Sequence, residues 1–65
     1  MDLKPEEKRI LQTLYFANKP LTTKSISERT NMAWQTTKNY LGQMHQRGLL
    51  NKGKKGSSIY WWIRI

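Results

Sequence analysis

Apolar positions along the chain change their period, and the changes mark its elements. Over residues 3–17, Ile10, Leu11, Leu14 and Tyr15 recur at the spacing of one helical face. Pro5 is preset for a first helical turn, and Glu6 and Glu7 complement the positive helix end. The span is predicted as a helix that serves as scaffold. Asn18, Lys19 and Pro20 break it, since Pro20 turns Lys19 away from helical geometry, and Leu21 is expected to be a short extended residue docking into the core. A second, short helix is predicted from Thr22 or Thr23 to Thr30, with either hydroxyl able to cap it and Ile26 as its core anchor. Asn31 then takes the left-handed conformation of a tight helix-ending turn, and Met32 closes the turn by pointing inward.

Residues 33–47 are predicted as a longer amphipathic helix. Thr37, Tyr40, Leu41 and Met44 follow the i, i+3, i+4, i+7 rule and form its buried stripe. The opposite face carries Trp34, Gln35, Lys38, Asn39, Gly42, Gln43 and Gln46. A solvated face would normally mix Glu with Lys to gain i, i+4 pairs, and this one holds no carboxylate. After Gly48 the period becomes two. Residues 49–52 read as a strand, 53–58 as a turn-rich loop containing Lys54 and Lys55, and 59–65 as a strand of β-branched and aromatic residues. On that last strand Ile59, Trp61, Ile63 and Ile65 are expected to face inward and Tyr60, Trp62 and Arg64 outward.

With 65 residues the chain is expected to be one small domain, near the lower size for a core without staples. It has no cysteine, so neither disulfides nor thiolate metal sites can reinforce it. No apolar run approaches the roughly 20 residues of a membrane span, and the start lacks the layout of a secretion signal. The chain is read as an intracellular, cytoplasmic protein associated with the nucleoid.

Charge sharpens the picture. The net charge is +8, and all four acids, Asp2, Glu6, Glu7 and Glu28, precede residue 29. From residue 32 onward there are six basic residues and no acid. A field of one sign attracts nucleic acid or an anionic surface. Solubility alone explains it poorly, because added acids serve that purpose better than added bases.

Helix, short turn, longer helix is the helix-turn-helix layout, and the run ISERTNMAWQTTKNYLGQMHQRGLL resembles the segment shared by winged helix-turn-helix regulators of the MarR and ArsR types. Ile26 and Met32 match core positions, Ser27 the usual small residue, Asn31 the place where Gly is common, and Arg47 to Leu50 the helix end that leads into the wing. The resemblance covers nearly the whole chain. It implies an α+β, mostly α fold: a three-helix winged helix-turn-helix with a C-terminal β-hairpin wing. It also has departures. Ala33 replaces the usual Ser or Thr cap, Thr37 replaces Val or Ile, and Gly42 lies mid-helix at a cost of roughly 1 kcal/mol relative to Ala. Gly42 is either tolerated drift or a point of close approach by DNA or a second subunit.

The implied function is sequence-specific binding of double-stranded DNA by a transcription regulator. Trp34, Gln35, Thr36, Lys38 and Asn39 would face the major groove. Gln35 and Asn39 are the base-reading candidates, since an amide can pair with adenine N6 and N7, while Lys38 could reach guanine or phosphate. Trp34 could lie against sugar or a thymine methyl, or fold back on the protein. Thr23 and the start of the second helix should meet phosphate. Lys52, Lys54 and Lys55 of the wing would grip the flanking backbone, with glycines on both sides of the Lys pair permitting close approach. Arg47 and Lys24 are weaker contributors. Tyr60 and Trp62 either cover the end of the first helix or form a homodimer contact.

Two other readings stay open. Winged helices also act as protein-interaction modules, in which Trp34 would be an anchor. RNA or single strands could stack on the Trp and Tyr rings. Catalysis has no apparent basis: His45, the sole histidine, is expected to be an exposed helix residue, and no paired-carboxylate, metal or phosphate-loop pattern is present. No cofactor or small-molecule ligand is expected.

Overall fold

The computed structural model describes residues 2–65. Three helices, α1 (Pro5–Ala17), α2 (Thr23–Thr30) and α3 (Trp34–Gln46), pack on a three-stranded antiparallel sheet of β1 (Leu21–Thr22), β2 (Leu50–Lys55) and β3 (Ser58–Ile63). The fold is the predicted winged helix-turn-helix. The sheet adds one feature the sequence did not announce: β3 is central, and β1 pairs with it through Leu21 opposite Trp61 and Thr22 opposite Tyr60. Leu21 is therefore extended and core-facing as expected, and it is also a strand.

The core is built from each element's apolar stripe. Ile10 and Leu14 of α1, Leu21, Ile26, Leu41 and Met44 of α3, Leu50 and Trp61 are buried together. Thr37 is completely buried among them, and its hydroxyl donates to the Ala33 carbonyl at 2.9 Å. That bond removes the penalty of placing a Thr where an aliphatic residue is usual.

Helix ends follow local chemistry. Pro5 occupies the first turn of α1, which begins two residues later than the predicted span. Both Asn18 and Asn31 have positive φ, 54° and 57°, and end α1 and α2. Thr22, rather than Thr23, caps α2, accepting a hydrogen bond from the Ser25 amide at 3.1 Å. Met32, half-buried on the core, donates its amide to the Ser27 carbonyl at 3.1 Å and closes the turn. Ala33 supplies α3 with no side-chain cap.

Several expectations are corrected. Tyr15 belongs to the exposed surface of α1, and Phe16 beside it is also exposed. On β3 Trp61 is buried and Ile63 is half-buried against the core, as expected, while Ile59 near the hairpin turn and Ile65 beyond the end of the strand are exposed. Tyr60 and Trp62, for which the sequence left a cover of the first helix or a dimer contact open, are half-buried. The loop predicted at 53–58 is mostly strand. Lys55 pairs with Ser58 and only Gly56 and Ser57 form the turn, with Gly56 at φ 62°. Positive φ at the first of two turn residues is where a hairpin requires glycine. Gly53 has a different reason: a Cβ there would approach the Trp62 ring to 3.0 Å.

Candidate nucleic-acid interface

The helix-turn-helix presents the first turns of α3 on one surface. Trp34, Gln35, Thr36, Lys38 and Asn39 are all exposed, as helical phase predicts when Thr37, Leu41 and Met44 hold the opposite side in the core. Gln35 donates from its side-chain amide to the Asn39 carbonyl oxygen at 3.2 Å. The two amides are thus held side by side, one turn apart. Each keeps further donors and acceptors for another partner. The Lys38 ammonium lies 5.2 Å from the centre of the Trp34 ring, within range of a cation–π contact. Trp34 remains about half exposed, at 48 %.

The other end of α3 is fixed to the body. Arg47, which follows the helix, forms an ion pair of 2.7 Å with Glu7 of α1. Glu7 is almost fully buried, and its second oxygen accepts the Lys4 amide at 2.9 Å. Glu7 was read as a helix-start acid alone. It has that role and also anchors the end of α3 to α1, so Arg47 is a paired and not a free cation. His45 is half-buried rather than exposed, with its ring edge-on to Trp61 at 6.3 Å.

Trp61 joins three parts of the surface. Its indole N–H donates to the Thr23 hydroxyl at 2.9 Å, and the Lys52 ammonium lies 5.7 Å from its ring centre. Thr23, at the start of α2, therefore has one lone pair occupied. Its own proton remains available to an acceptor outside the protein. Lys52, Lys54 and Lys55 are exposed on the wing. Successive strand residues alternate faces, so Lys52 and Lys54 share one side and Lys55 takes the other.

Between α3 and the wing lies an open groove of about 400 Å³, bordered by Thr22, Thr23, Lys24, Trp34, Lys38, Ser57, Ser58, Ile59 and Trp61. It brings together Thr23, Trp34 and Lys38 of the sequence-predicted set. Gln35, Thr36 and Asn39 lie outside it, Thr36 and Asn39 bordering a separate shallow depression with Lys4, Tyr40 and Gln43. Ile59 is the groove residue that sequence reasoning placed in the core. Its one available signal was position: it lies two residues past the hairpin turn, near the tip of the wing.

Three helices, a left-handed turn between the last two and a two-stranded wing define a winged helix-turn-helix domain, and solved transcription regulators of this fold superpose on the chain with TM-scores as high as 0.87. One is the homodimeric winged helix-turn-helix DNA-binding domain Mb0332 from Mycobacterium bovis, a possible ArsR-family regulator: TM-score 0.80, 24 % identity, 89 % of this chain and 52 % of that one. Another is Lactococcus lactis ZitR in complex with DNA: TM-score 0.82, 17 % identity, 97 % of this chain and 44 % of that one. The same fold forms part of human N-acetylserotonin methyltransferase, with TM-score 0.82, 17 % identity, and coverage of 89 % of this chain and 17 % of that enzyme. The chain spans about half the length of the first regulators it matches. No protein-family model matches the sequence, and no curated protein is significantly similar to it. At these identities the likeness establishes the fold.

Proposed function

We propose that the chain binds double-stranded DNA as a sequence-specific transcription regulator. The observation that carries this is the exposed face of α3, where Trp34, Gln35, Thr36, Lys38 and Asn39 stand together without a carboxylate beside a wing bearing Lys52, Lys54 and Lys55. α3 enters the major groove. Gln35 and Asn39, already aligned by their mutual hydrogen bond, read adenine edges, and Thr36 and Lys38 contact bases or phosphate. Thr23 donates its remaining proton to a phosphate, and the three wing lysines hold the flanking backbone or minor groove. A fold shared with a regulator solved on DNA supports this assignment.

Binding of the purified chain to random duplex DNA at two salt concentrations tests the proposal. With about four to six phosphates neutralised per chain, log affinity should fall with log salt at a slope near −4 to −5. The Gln35→Ala, Asn39→Ala double variant should keep salt-dependent binding and lose preference for a selected sequence. A flat salt response, or no binding at low salt, would move the assignment to a protein partner.

Homodimerisation belongs to the same proposal. Trp62 borders an open groove of about 370 Å³ at the end of α1 with Tyr15, Asn18, Lys19 and Ile65, and this apolar surface, with Tyr60, is taken as the candidate dimer contact rather than as a cover for the helix end. Solution mass of the parent against Trp62→Ala checks it: a parent that is monomeric, or a variant that stays dimeric, removes the contact.

A further inference from the structure

We infer that the shallow depression between α3 and the start of α1 binds a backbone phosphate of the second DNA strand, with the Lys4 ammonium as its cation; this rests on the DNA-binding reading above. The phosphate contacts assigned so far lie to one side of α3. A helix turns about 100° per residue, so Trp34 and Lys38, one turn apart, share the flank that borders the groove beside the wing. Thr36, Tyr40 and Gln43 follow the i, i+4, i+7 spacing and share the opposite flank, with Gln35 and Asn39 on the outward face between the two. A helix lying in the major groove has a phosphate backbone on each side of it. Thr23 and the wing lysines meet one, and the Tyr40 flank is turned to the other.

The second flank is equipped for an anion. Thr36, Tyr40 and Gln43, with Lys4 and Asn39, border an open depression of about 250 Å³. Their side chains carry an ammonium, two hydroxyls and two amides, all able to donate a hydrogen bond, and no carboxylate. Asp2 and Glu6, two residues to either side of Lys4, do not border it, and Glu7 is buried with its charge met by Arg47. A rim of donors around a cation suits a phosphate. The backbone amide of Lys4 is held by Glu7 at 2.9 Å, which fixes the residue at the head of α1. Its ammonium lies 5.9 Å from the centre of the Tyr40 ring, so an exposed side chain of α1 is carried across to α3. Arg47, at the end of α3, is engaged by Glu7. The charge left for a partner on this flank is therefore that of Lys4.

The test uses a preferred duplex selected from a random pool, then remade as a series in which one phosphate at a time, on either strand, is a neutral methylphosphonate. Around the bases read by one α3, neutral substitutions on both strands should weaken binding of the parent chain. With Lys4→Gln the sensitivity should vanish on one strand and persist on the other, and the slope of log affinity against log salt should become shallower by about 0.9. Between about 50 and 200 mM salt the parent should thus lose roughly threefold more affinity than the variant. Lys4→Arg should restore both readings, and urea denaturation of Lys4→Gln should match the parent, since the altered side chain is exposed. If Lys4→Gln keeps the slope and every sensitive phosphate of the parent, or if the parent's sensitive phosphates all lie on one strand, the site is wrong and DNA binding stands. If the parent binds no duplex at low salt, the DNA-binding reading fails and this inference fails with it. The map made with the parent needs no variant to fold.

Discussion

The two ends of α3 are built on opposite terms. At its start, Ala33 provides no side-chain cap, and Trp34, Gln35, Thr36, Lys38 and Asn39 are exposed, with Gln35 bonded to Asn39 and Lys38 over the Trp34 ring. At its finish, Leu41 and Met44 lie in the core, His45 meets Trp61, and Arg47 is paired with Glu7. One end is free to meet a partner, and the other sets its position. The difference teaches that little of the stability of the domain resides in the residues proposed to read DNA. These residues can therefore be exchanged while the fold stays the same.

The sharpest way to break this contrast is at Arg47. Arg47→Ala leaves Glu7 buried beside the Lys4 amide with its charge uncompensated and should lower unfolding free energy by about 3 kcal/mol. Glu7→Gln should cost less, because Arg47, a third exposed, can be hydrated. Urea denaturation of both variants reads the order; equal losses would mean the pair is not the fastening. Next, Gly42→Ala should stabilise by about 1 kcal/mol, since nothing lies within 4 Å of the added Cβ. If its DNA affinity is unchanged, Gly42 marks no close approach by a partner. At the free end, Ala33→Ser should add about 0.5–1 kcal/mol by capping α3, detectable as a raised Tm. The smallest stability effect belongs to Gln35→Ala with Asn39→Ala, expected within about 0.5 kcal/mol of the parent in the same denaturation experiment. A larger loss would show that the exposed end also carries structural weight.

What the sequence made legible follows from how local each signal is. The phase of α3, the left-handed turns at Asn18 and Asn31 and the period-two segment after Gly48 each depend on neighbours a few residues apart, so the fold could be read. The Glu7–Arg47 pair joins residues forty positions apart, and a first-turn acid had a sufficient local explanation, which concealed the second role. The extent of the wing was misread for a physical reason as well. Gly53-Lys54-Lys55-Gly56 has the composition of a turn, but pairing with β3 and the space required by the Trp62 ring hold Gly53 in a strand. Within the candidate site, exposure of the α3 residues was legible from periodicity. The Trp61–Thr23 hydrogen bond was not, because it depends on how β3 packs across the start of α2.

The central place of β3 also governs the order in which the domain can assemble. β3 follows every other element in the chain, yet both remaining strands pair with it, and it delivers Trp61 to the core. While the chain emerges from the ribosome, α1, α2 and α3 can form and touch, but β1 has no neighbour and the core lacks its largest side chain. Closure must wait until β3 has cleared the exit tunnel. A nascent chain stalled before Ser58 should remain open to proteases, and one carried past Ile63 on a linker long enough to span the tunnel should become resistant in a single step.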